Sequence, residues 1–61
     1  MKTHVTRPDG SHVVVSDDPS RAETMVFPAD EHGGVTSFRE IAVCRPADHA
    51  WMVARMLEVT S

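Results

Sequence analysis

The segment Arg7-Pro8-Asp9-Gly10-Ser11 lies between two β-branched runs, KTHVTR and SHVVVS. Proline presets φ for the first central turn position, aspartate suits the second, and glycine accepts the left-handed conformation that follows. The order predicts a three-residue hairpin loop with a glycine bulge. Such a loop sets strand register. Arg7 then faces Ser11, Val5 faces Val13 and Thr3 faces Val15. Side chains alternate across a strand, so these residues share one face. His4, Thr6, His12 and Val14 share the other, more polar face.

Residues 17–22 read as a polar connector, because Asp17, Asp18 and Pro19 end the strand. The alternative there is a short helical turn over 20–23. Residues 23–28, ETMVFP, read as a third strand, with Met25 and Phe27 on one face and Thr24 and Val26 on the other. A loop over 29–34 carries two glycines, Gly33 and Gly34. A fourth strand is expected over 35–45, with Phe38 in an irregular entry. Its end is apolar on both faces, Ile41 and Val43 against Ala42 and Cys44, as in a central strand. Residues 23–45 thus form a second hairpin. Whether it pairs with the first is open at this point.

Residues 46–59 are the one convincing helix. Pro46 suits the first helical position, and Asp48 complements the helix dipole. At 100° per residue, Ala50, Val53, Ala54 and Leu57 cluster as the core stripe. Asp48, Arg55 and Glu58 mark the opposite side. Trp51 projects between Glu58 and Arg55, Met52 and Val59 lie beside Asp48, and Met56 lies on the next flank. The expected fold is α+β: a small antiparallel sheet of two hairpins, three to four strands, with the C-terminal helix packed across it. Met25, Phe27, Ile41, Val43, Val53 and Leu57 are the expected core.

A chain of 61 residues makes one small domain and buries only about 60% of its unfolded surface. Such scaffolds usually need a disulfide, a metal or association. The single cysteine, Cys44, excludes an internal disulfide and fits a reducing compartment. Association is therefore the expected supplement, as a homodimer or a higher oligomer. A net charge of −3 offers no basic footprint for nucleic acid. No apolar run approaches the roughly 20 residues of a membrane span, and MKTHVTRPDG lacks a signal-peptide core. A soluble, intracellular protein is expected.

The sequence holds no phosphate-cradling glycine loop, no Ser/His/Asp arrangement and no CxxC, so neither enzymatic activity nor a cofactor is expected. Cys44, beside Arg45 and before a helix, reads as a core cysteine rather than a nucleophile. His4 and His12 lie on adjacent strands, where two imidazoles can hold zinc. A third ligand from Asp30, His32 or His49 would have no recognised spacing, and a solvated polar face is the favoured reading. Asp30-Glu31-His32 lacks the alternating ligands of a calcium loop. Trp51, Met52, Arg55 and Met56 remain as the partner-binding candidates, since Trp, Met and Arg are enriched at interfaces.

Residues 23–43 carry Glu23-Thr24-Met25-Val26-Phe27, then Asp30, the glycines, Val35-Thr36, Phe38 and Glu40-Ile41. This segment resembles small accessory proteins of phages infecting actinobacteria, with Phe38 where that pattern more often has Trp. The resemblance implies no catalytic residues. It implies a small accessory protein made inside an infected bacterium, in the host cytoplasm. The expected function is a non-enzymatic interaction protein, a homodimer that binds and perturbs a host bacterial protein. A metal-binding module and a minor virion component are the alternatives.

Overall fold

In the computed structural model, which describes residues 1–58, the first turn closes as its chemistry dictates. The Arg7 amide donates to the Ser11 carbonyl at 2.7 Å, and the Gly10 amide to the Arg7 carbonyl at 2.9 Å. Gly10 adopts φ +89°. The Asp9 carboxylate accepts from the Ser11 amide and hydroxyl, which locks the loop locally. Strands β1 (Lys2–Thr6) and β2 (His12–Asp18) pair antiparallel, with Val5 opposite Val13 and Thr3 opposite Val15. That is the expected register.

β2 does not stop at Ser16. It runs through Asp17 and Asp18, and β3 (Glu23–Ala29) pairs directly with it. The expected connector is mostly a tight turn. The Asp18 carboxylate accepts from the Ser20 amide and hydroxyl, and the Arg21 amide donates to the Asp18 carbonyl. Ala22 then takes φ +52°, a left-handed conformation unusual for alanine. These local hydrogen bonds favour a turn over the alternative helical turn at 20–23. The two expected hairpins are therefore joined in one four-stranded meander of order β1-β2-β3-β4.

The fourth strand is shorter than the expected 35–45. Only β4 (Ala42–Cys44) pairs as a strand, preceded by an isolated bridge between Ala29 and Val35. Gly33 at φ +81° turns the chain, and residues 36–40 lie exposed. That stretch, Thr-Ser-Phe-Arg-Glu, has no apolar alternation with which to hold a ladder. Phe38 is indeed irregular, its ring set edge-on to Phe27 at 5.9 Å.

The register decides the core. Val5, Val13, Val15, Val26, Ala42 and Cys44 fall on one face, and the helix covers it. Val5, Val13, Val15, Val26 and Met52 are buried there, with Ala42, Cys44, Val53 and Met56 packed alongside. The strands alternate as expected, but the face of β3 that meets the helix is the opposite of the expected one. Thr24 and Val26 lie under the helix, while Met25 and Phe27 lie on the far face. Ile41, Val43 and Leu57 are exposed rather than core. Across the sheet, Val14 is buried opposite Phe27.

The helix begins later than expected. Pro46–Asp48 form a single 3-10 turn, and α1 spans His49–Leu57. Pro46 opens the turn, where its missing N–H costs nothing. Its expected extension to Val59 lies outside the described residues. The phase of α1 also differs. His49 and Met52 face the sheet, with Val53 and Met56 half-buried beside them. Ala50, Ala54 and Leu57 face solvent.

This phase has a direct consequence for stability. Met52→Ala opens a cavity in the core and should destabilise the fold by about 2–5 kcal/mol. Leu57→Ala, at a side chain 53% exposed, should cost less than about 1 kcal/mol. Chemical denaturation of the two variants measures the difference, and the reverse order would place the helix in the other phase.

Candidate functional site

The outer surface of α1 is apolar where a helix on a sheet ordinarily carries charge. Ala50, Trp51, Ala54 and Leu57 are all exposed, Trp51 at 57%. Arg55 stands one turn from Trp51, its guanidinium carbon 5.6 Å from the ring centroid. It also donates to Glu58 Oε2 at 3.1 Å. The guanidinium beside the tryptophan is thus itself paired with a carboxylate. Large aromatics and arginines of this kind carry much of the energy in protein interfaces.

Of the four expected partner-binding residues, the structure leaves Trp51 and Arg55 together at the surface. Met52 is 5% exposed and belongs to the core, so it cannot serve as a contact. Met56 is half-buried against that core, and its carbonyl accepts from Arg7 Nε at 3.4 Å. Ala50, Ala54 and Leu57, the expected core stripe, instead complete the outer surface. Hydropathy points to the other phase because the residue that opens α1 is polar and yet buried.

That residue is His49, 7% exposed. Its Nε2 lies 2.8 Å from Thr3 Oγ1 on β1, and its Nδ1 lies 2.8 Å from Asp17 Oδ1 on β2. Thr24 on β3, fully buried, donates its hydroxyl to the same Asp17 oxygen. Hydroxyl, imidazole and carboxylate stand in the order of a nucleophile relay. Here the chain ties the N-terminal turn of α1 to three strands at once, and every polar atom within it has a partner. A buried histidine is tolerated only when so satisfied. The Met1 amino group lies 3.2 Å from the second Asp17 oxygen.

Electrostatics follow from these bonds. The Thr24 hydroxyl, then the His49 ring, hold the Asp17 carboxyl well below the usual carboxylate range, against an opposing effect of desolvation. Asp9, Asp18 and Asp30 are lowered by their turn bonds, led respectively by the Ser11 hydroxyl, the Ser20 hydroxyl and the Gly34 amide. Burial pushes the Cys44 thiol up, and the charges of Asp48 and Asp17 add to it. That direction disfavours a thiolate nucleophile.

The hairpin histidines do come together. Their rings are 5.3 Å apart, centroid to centroid, on the face opposite α1. His32 is exposed beside Glu31, and His49 is committed to its buried network, so neither joins them. Among the described residues, no group of three or more His, Cys, Asp or Glu is placed to hold a metal ion. No helix among them is long and apolar enough to cross a membrane. No protein-family model, curated protein or solved structure matches the chain.

The depressed Asp17 value makes stability pH-dependent. A carboxyl whose folded pKa lies below its unfolded value, about 3.9, contributes fully above that value. Its contribution is lost as pH falls through the folded pKa. Thermal melting should therefore weaken on acidification below about pH 4. Asp17→Asn should lower stability at neutral pH and flatten the acid limb, leaving the slope due to Asp9, Asp18 and Asp30. An acid limb of unaltered steepness in that variant would remove Asp17 from the account.

Proposed function

We propose that this chain is a non-enzymatic interaction protein that pairs with a second copy of itself through the outer face of α1. The observation that carries the reading is the exposed Trp51, set among Ala50, Ala54, Arg55 and Leu57 on the face a monomer keeps polar. Among the described residues the main core cluster holds five buried apolar side chains, and small domains gain stability by association. Ala50 and Ala54, one turn apart, let a second helix approach closely. Arg55 and Glu58 lie on the same patch, so a two-fold pairing brings each cation towards the partner's anion.

Size sets the expected strength. A standard interface removes about 800 Å² from each partner, against a total surface of 4151 Å². One face of a nine-residue helix supplies only part of that. The pairing is expected at the weak end, with a dissociation constant on the order of micromolar. The likeness of residues 23–43 to small actinobacteriophage proteins supports a host bacterial protein as a further target of the same face.

Sedimentation equilibrium tests the reading. The wild-type mass should rise with concentration from 6.7 kDa towards twice that value. Trp51→Ala should weaken association at least about tenfold, the effect of losing a central interface tryptophan. The melting temperature of the dilute monomer should change little. A monomer at every concentration, or a dimer indifferent to Trp51→Ala, would contradict the proposal.

A further inference from the structure

We infer that His4 and His12 form a two-imidazole chelate for a divalent transition-metal ion, with zinc as the reference case, on the sheet face turned away from α1. The turn at Gly10 fixes the geometry. It sets Thr6 opposite His12 and His4 opposite Val14, so the two histidines are diagonal neighbours on adjacent strands. Their ring centroids are 5.3 Å apart with planes tilted by 36°. Zinc takes imidazole nitrogen at about 2.0–2.1 Å in tetrahedral geometry, which places two bound rings with their centres about 5 Å apart. The observed centroid spacing matches that of two imidazoles on one ion.

Two further features favour metal over a merely solvated pair. Thr6 Oγ1 lies 3.1 Å from His12 Nδ1. When Nδ1–H donates to that oxygen, Nε2 carries the lone pair and points away from the bond. Metal-binding histidines are oriented in this way by a partner on the other nitrogen. The loop after β3 contributes on the His4 side. Gly33, at φ +81°, lies so close to the His4 ring that a Cβ there would come within 3.4 Å of it. The same loop is held by Asp30, whose carboxylate accepts from the His32 and Gly34 amides.

The chain supplies two protein ligands, and water or a second molecule completes the coordination. Affinity is accordingly lower than in a closed four-ligand site. The inference is independent of the pairing through α1, which uses the opposite side of the molecule.

Zinc chloride titrated into the full chain by calorimetry provides the test. One binding event at no more than one ion per chain is expected. His4→Asn and His12→Asn should each weaken it at least about tenfold, as loss of a ligand does. His32→Asn, at an exposed loop position, should leave it unchanged. Circular dichroism checks that the variants stay folded. Zinc should also shift the imidazole nitrogen resonances of His4 and His12 in the wild type. Absence of binding, affinity retained in both hairpin variants, or shifts confined to His32 or His49 would overturn the inference.

Discussion

The buried His49 network governs how this small protein is put together. A sheet of four short strands presents one valine-rich face, and a nine-residue helix must settle on it. Apolar packing alone does not choose the helix's rotation, because both sides of α1 carry large apolar residues, Met52, Val53 and Met56 on one and Trp51 and Leu57 on the other. Hydrogen bonds do choose, since they are directional and an unmade one in a buried site costs about 1–3 kcal/mol. His49 meets Thr3 and Asp17 only when the helix shows Met52 to the core. Trp51 and Leu57 are then left in water.

The same constraint connects fold to function. Had the helix settled with Leu57 and Ala54 inward, Trp51 would still lie outside with Arg55 and Glu58, and Met52 would join it. Instead His49 lies inside, and Ala54 and Leu57 stand outside with Trp51. Where one histidine is buried thus sets which side chains accompany Trp51 on the proposed pairing face. On the other side of the sheet, the turn-defined register has a separate consequence. It sets His4 beside His12 on the face away from the helix, with Gly33 against the His4 ring.

Much of the architecture was legible in the sequence where chemistry is local. Pro8, Asp9 and Gly10 specify their turn through their own φ preferences and hydrogen bonds, and the pairing of Val5 with Val13 follows. Pro46 likewise marks the start of helical structure. Non-local choices were not legible. Asp17 and Asp18 look like strand breakers, yet β2 continues through them because Thr24 and His49, distant in sequence, satisfy Asp17. The face of β3 turned to the helix depended on the same pairing. Trp51 and Arg55 stood out as surface candidates by residue type. Met52 did not reveal itself as core, because its burial depends on His49 lying inward, and histidine scores as polar. The spacing of the hairpin histidines was visible from register, whereas the Gly33 contact required the loop to fold back.

The most direct test of the account is the rotation of α1 in solution. Nuclear Overhauser contacts, measured at concentrations where the chain is monomeric, report it without any substitution. The His49 ring protons should contact the Thr3 methyl, and the Met52 methyl should contact Val13, Val15 or Val26. The Ala54 and Leu57 methyls should show no contact with those valines. Valine contacts from Ala54 and Leu57, with a His49 ring free of Thr3, would contradict the account at its base.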